Sequence, residues 1–204
     1  MGNEGPVAKR IPKPVKGMRA LDSLLTEEKH NSYYFVDTNV IIAYAKEEIP
    51  ILNRYIDVMS LSGCHFFVTR RIAEQFKAAL PSNFTLFQDS DADTKAEAAY
   101  TEAVKLCNVS TSKYEVDLRW TLESGHCLHT CDQIPFKGEG SVFALTMNTK
   151  LVNRFYRPAC YRAILERLAD EHGLKPLADM RLIHKDGRFE DFPATLPPPP
   201  PPIE

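Results

Sequence analysis

Apolar residues in this chain fall into two alternating kinds of segment: short unbroken runs, and longer stretches where they recur every three or four positions. The runs Tyr33–Val36, Cys64–Thr69 and Val142–Met147 are rich in aromatic and β-branched residues. They predict strands buried on both faces, as inside a parallel sheet. The periodic stretches predict helices. One runs from about Val40 to Lys46, and a second starts at Pro50 with Ile51, Leu52, Tyr55, Ile56 and Met59 on its inner face. From Arg70, residues Ile72, Ala73, Phe76, Ala79 and Leu80 make another face, which Pro81 ends. Residues 82–94 predict a loop, Lys95–Cys107 and Glu115–His126 helices, and 131–140 a second loop. A helix opened by Pro158 and closed by Gly173 follows. Ala20–Leu25 predicts a lead-in helix and Met180–Ile183 an edge strand.

Strands alternating with helices predict an α/β fold with a mostly parallel sheet. The 204 residues divide into a basic arm over 1–19, one folded domain over 20–187 and a proline-rich tail over 188–204. The arm is expected to be disordered, and the prolines at 197–202 predict an extended polyproline II segment. A net charge of −2 gives no global positive field, so any contact with nucleic acid must rest on local basic patches. The five cysteines are odd in number and scattered, and no signal peptide precedes them. No apolar run approaches the ~18 residues of a membrane span. The expectation is reduced thiols in an intracellular, cytoplasmic or nuclear, setting with no membrane partner. The arm has the charge of a mitochondrial presequence, but prolines at 6, 12 and 14 oppose the amphipathic helix such a leader needs.

Asp37 stands where the first buried run meets the first helix, with Thr38 and Asn39 as candidate caps. The carboxyl ends of parallel strands are where open α/β sheets place their sites. A charge between two apolar segments is costly unless it is solvated, paired or bound to a cation. The plain reading is a turn and capping residue; the functional one is a ligand.

A first strand ending in Asp37-Thr38-Asn39, followed by Val40-Ile41-Ile42 on a helix, resembles the opening motif of PIN-domain nucleases. The resemblance implies a three-layer α/β/α sandwich around a mostly parallel sheet, over roughly residues 32–185. It also implies acidic residues converging at the carboxyl edge of that sheet, where they hold Mg²⁺ or Mn²⁺. The activity implied is that of a metal-dependent endoribonuclease hydrolysing single-stranded RNA. Such chemistry needs several oxygen ligands, because the cation activates water and offsets charge on the scissile phosphate.

Carried over residue by residue, the family pattern puts Asp37 first and Glu74, in TRRIAEQF after the second strand, second. Glu74 also reads as a solvated helix residue paired with Arg70 or Arg71. Asp117 matches the third position, an aspartate opening a helix before the last core strand, if 131–140 is an insertion. Asp132 and Glu139 are its rivals and Glu115 a neighbour. The fourth position normally carries an aspartate, and here it is Asn148, which brings an oxygen but no charge. Asn39 and Thr146 would orient the carboxylates. Arg70, Arg71 and Lys150 are candidate phosphate contacts, with Arg119, Arg154 and Arg157 behind them.

Two further readings stand beside this one. A catalytically degenerate PIN-like domain would serve as an RNA-binding or assembly module in a larger ribonucleoprotein. Its arm would lie along RNA, and its proline tail would engage a protein groove. The segment His126–Cys131, HCLHTC, has zinc-ligating residue types, but two pairs on one short segment do not easily close a tetrahedron. The glycine-rich nucleotide motifs, G-x-S-x-G and H-E-x-x-H are absent from the sequence, which removes the usual support for those chemistries.

Overall fold

A computed structural model of the chain describes residues 19–27, 32–87, 90–107, 118–124, 142–174 and 177–193. The three apolar runs are strands β2 (Tyr33–Val36), β3 (His65–Thr69) and β5 (Val142–Thr146). With β4 (Phe84–Phe87) and β6 (Asp179–Ile183) they form a parallel block in the order β6-β5-β2-β3-β4. A strand β7 (Arg188–Phe192) adds antiparallel to β6, and the two-residue β1 (Arg19–Ala20) adds antiparallel to β7. The fold is α/β, with a seven-stranded, mostly parallel sheet.

Strand order and handedness place the helices. From β2 the chain passes through α2 (Thr38–Ala45) and α3 (Pro50–Leu61) to β3, then through α4 (Arg70–Phe76) to β4. It then runs along α5 (Ser90–Leu106) and the turn of helix α6 (118–124) before crossing back over β2 to β5. Beyond β5 come α7 (Thr149–Leu151), which continues as a π-helix over Val152–Tyr156, and α8 (Ala159–Glu171). Right-handed crossovers in opposite directions put these two groups on opposite faces. The packing agrees: α4 lies on α2 and a first helix α1 (Leu21–Glu27) on α3, whereas α5 lies on α8. That is a three-layer sandwich.

The core follows from the alternation of side chains along the strands. Tyr34 stacks on Phe66 at a centroid distance of 4.7 Å and meets Tyr55 of α3 edge to face. On the opposite face, Phe35 packs against Phe67 and Phe87. A charge is built into the first of these faces. Arg181 of β6 is 2% exposed. Its guanidinium donates to both carboxylate oxygens of Asp191 on β7, at 2.7 and 3.0 Å, and to the Tyr55 hydroxyl at 3.1 Å. It also lies over the rings of Phe143 and Phe189.

Several boundaries differ from the sequence reading, each for a local reason. The 82–94 loop contains β4, a half-exposed edge strand, and α5 starts at Ser90 rather than Lys95. Helix α4 ends at Phe76, because Lys77 adopts a left-handed φ of 55°; Ala79 and Leu80 lie beyond it. The helical segment after Asn148 was not expected. Met180–Ile183 belongs to an inner strand, since β7 covers its outer side. The sheet therefore extends past the expected domain end at residue 187, and on the other side begins at Arg19, inside the expected arm. The loop at 131–140 and the proline run lie outside the described residues.

Gly187 closes the β6–β7 turn at φ +79°, with its N–H on the His184 carbonyl and its own carbonyl accepting from Leu21. A Cβ there would run into the side chain of Ile51. Gly187→Ala is therefore expected to cost about 2 kcal/mol, from left-handed strain and steric conflict together. A shift of the urea midpoint without change of slope would show it.

A second polar junction ties α2 to α3 and to the entry of β4. The Tyr44 hydroxyl donates to Asp57 Oδ1 at 2.6 Å, and Asn83 Nδ2 donates to the same oxygen at 2.8 Å. Burial first, then the Asp57 carboxylate, push the Tyr44 phenol up from 10.0 to about 12. The sign follows from linkage. The folded state keeps this proton where the unfolded chain has lost it, so its contribution is complete below pH 10.0 and lost as pH rises towards about 12. Denaturant midpoints across that window should fall less steeply for Tyr44→Phe than for the native chain.

Candidate functional site

The reversal of strand order falls between β2 and β5, which are neighbours in the sheet but run into opposite halves of it. At such a switch point the connections splay apart and leave a crevice at the carboxyl edge. Asp37 is the residue that follows β2 at this point. Its backbone N–H still holds the sheet, donating to the Leu145 carbonyl at 2.9 Å, while its own carbonyl accepts from Val40 and Ile41 at the start of α2.

Asp37 occupies the N-cap position of α2, yet its side chain makes no capping hydrogen bond. It is 5% exposed and turns across the sheet edge. Oδ2 accepts from the Thr146 hydroxyl at 2.6 Å and from Asn39 Nδ2 at 2.7 Å. Asn39 is fixed in turn, its Oδ1 accepting from the Met147 N–H at 2.9 Å. Thr146 Oγ1 also accepts from the Asn148 N–H at 3.0 Å. Asn39 and Thr146 thus both donate to one oxygen of this carboxylate. The simple capping reading of Asp37 does not describe this arrangement, nor do Thr38 and Asn39 act as caps.

Asn148 joins the cluster through its backbone N–H. Its Oδ1 accepts from the Leu151 N–H at 3.1 Å, capping α7. Lys150, in that first turn, is exposed and has no ion-pair partner among the described residues. Glu74 lies in the second turn of α4, exposed, and takes Arg70 Nε at 3.0 Å. The neighbouring Gln75 accepts from the Thr38 hydroxyl at 2.8 Å, which ties this turn of α4 to the segment just after Asp37. Arg71 is half-buried on the same helix. Arg119 is held by Glu97, and Arg157 by both oxygens of Glu190. Tyr34, Trp120 and Tyr156 are core residues.

Asp117, Glu115, Asp132 and Glu139 lie outside the described residues, as does His126–Cys131. Among the described residues no three His, Cys, Asp or Glu side chains converge on a common point. Cys64, Cys107 and Cys160 are free thiols, and no described helix is long and apolar enough to cross a membrane.

Sequence reasoning passed over two features of this edge. Continuing the β2–β3 register by two residues and the β2–β5 register by one sets Thr69 and Thr146 on either side of Asp37, so Thr146, Asp37 and Thr69 share a row. Thr69 is fully buried, and its hydroxyl finds no partner among the described residues. Nothing in the run HFFVT distinguishes that threonine from a β-forming residue. The other feature is a cleft of about 610 Å³ on the far side of Asn39, between α2 and the β6–β7 turn. No family model, curated protein or solved structure matches the chain.

Proposed function

We propose that this chain is a PIN-like, divalent-metal-dependent endoribonuclease acting on single-stranded RNA. The observation that carries the reading is Asp37, a buried carboxylate at the switch point, held in one orientation by Thr146 and Asn39 instead of capping its helix. Hydrogen bonds from neighbouring side chains are how proteins hold an oxygen ligand in one orientation. The fold supports it, since a mostly parallel sheet with Asp37 at its carboxyl edge is what the resemblance to PIN domains implies.

The donor chemistry fits a hard cation. Carboxylate oxygen suits Mg²⁺ or Mn²⁺, and the orphaned Thr69 hydroxyl in the same row suits the water such ions retain. Asp37, Glu74 and Asp117 would hold the ion. Asn148, whose oxygen already accepts from Leu151, would add a neutral oxygen ligand through its second lone pair. When bound, the cation would neutralise charge on the scissile phosphate and favour ionisation of water. The chain's own contributions are distinct from that. Thr146 and Asn39 fix Asp37, Gln75 and Thr38 tie α4 to the site, and Lys150 supplies a cation for RNA phosphate. Arg70 would exchange Glu74 for RNA as it engages a phosphate.

Two observations favour a second reading, a catalytically silent RNA-binding or assembly module. Asn148 acts as a helix cap and Glu74 is neutralised by Arg70, which would suit a domain that no longer needs an ion. A panel of mixed single-stranded RNAs with Mn²⁺, Mg²⁺ or chelator tests both. Cleavage that requires the ion supports the nuclease. RNA binding in chelator, with no cleavage in any ion, supports the module.

A further inference from the structure

We propose that the cleft between α2 and the β6–β7 turn is a base-binding subsite for one nucleotide of single-stranded RNA, with guanine preferred. This rests on the RNA reading above and names the substrate feature that reading leaves open. The cleft's volume of about 610 Å³ lies in the range of small-ligand sites. Asn39 belongs to both places, bonding Asp37 with its amide nitrogen while lining the cleft. A nucleotide entering here therefore lies next to the carboxylate, separated from it by one side chain.

The lining suits a base more than a phosphate. Ile42, Ala43, Met147 and Ile183 supply apolar surface, and the Met147 thioether is the kind of adaptable wall that packs on aromatic faces. Two carboxylates, Glu48 beside Lys46 and Asp186 beside Arg188, line the cleft and offer acceptor oxygens to amino groups. Arg188 holds the Asp186 carboxyl below its usual range, through Nε at 2.7 Å, Nη2 at 2.5 Å and its backbone N–H at 3.1 Å. An ionised carboxylate has about four acceptor sites, so capacity remains beyond those three contacts. Guanine presents N1–H and N2–H side by side, the pair a carboxylate can accept together; cytosine and adenine present an amino group alone, and uracil none. Lys185, also at the cleft, has no ion-pair partner among the described residues and provides the cation for the phosphate side.

The test is titration of the full chain, without metal, by GMP, AMP, CMP and UMP, following the methyl resonances of Ile42, Met147 and Ile183. The expected result is that GMP moves these methyls and binds at least about tenfold more tightly than UMP. Thr149→Trp, at an exposed position lining the cleft, should abolish the GMP shifts, and Asp186→Asn should bring the four affinities together. Absence of methyl shifts with every nucleotide at millimolar concentration would overturn the subsite, as would undiminished GMP binding by Thr149→Trp. The nuclease reading fails separately. A chain that binds GMP here yet cleaves no RNA supports the subsite and defeats the nuclease. Ion-dependent cleavage with no nucleotide in the cleft does the reverse.

Discussion

Asp37→Asn is expected to lower ion-dependent RNA cleavage by about a thousandfold while leaving the fold intact. The amide oxygen of asparagine can still accept from Thr146 and Asn39, so the two bonds that orient the side chain survive. What is lost is the negative charge. A ligand that supports several kcal/mol of transition-state charge stabilisation is worth, at about 1.4 kcal/mol per tenfold, a factor of that order. Comparing kcat/KM with the thermal midpoint separates the two effects. A fall in activity with an unchanged midpoint places the charge in the chemistry. Undiminished cleavage by the variant would remove Asp37 from the reaction.

The largest expected loss of stability comes from Asp191→Ala. Arg181 is 2% exposed, and both carboxylate oxygens of Asp191 accept from its guanidinium. Removing that partner leaves a guanidinium buried among Phe143, Phe189 and the Tyr55 hydroxyl. Breaking such a pair costs about 3–5 kcal/mol. Asp191 is 36% exposed, so water reaches the gap, and the lower end, about 3 kcal/mol, is expected. Arg181→Met combined with Asp191→Ala should recover part of the loss, because the buried charge is then removed together with its partner. Equilibrium denaturation of the four chains gives the coupling directly.

How much of this was legible in the sequence depended on how local the cause was. Tyr33–Val36, His65–Thr69 and Val142–Thr146 were readable because a strand buried on both faces must be apolar throughout. Phe84–Phe87 was not, since an edge strand exposes its middle residues, here Thr85 and Leu86, and sits among turn-forming neighbours. Arg188–Phe192 was less legible still. RFEDF has three charged residues in five, and it is a strand because Arg181, Arg157 and His184 reach Asp191 and Glu190 from elsewhere in the chain. The site divides the same way. Asp37 and Thr146 lie at strand ends that the pattern located, and Asn39 in the first turn of the helix that follows. The capping role of Asn148, the Gln75–Thr38 bond and the cleft depend on how α2, α4 and the β6–β7 turn meet, which no short stretch of sequence encodes.

The pairing of β1 with β7 has a mechanical consequence. Arg19 lies opposite Phe189 and Ala20 opposite Arg188, so the chain enters the sheet at the same end of this pair from which it leaves. Tension applied between residues 19 and 193 therefore unzips these strands one backbone pair at a time, a low-force geometry, instead of shearing several hydrogen bonds at once. The next barrier along that path is the β6–β7 ladder with its Arg181–Asp191 clamp. A motor that pulls on either end would meet its first firm resistance there, with the parallel strands that carry Asp37 still intact behind it.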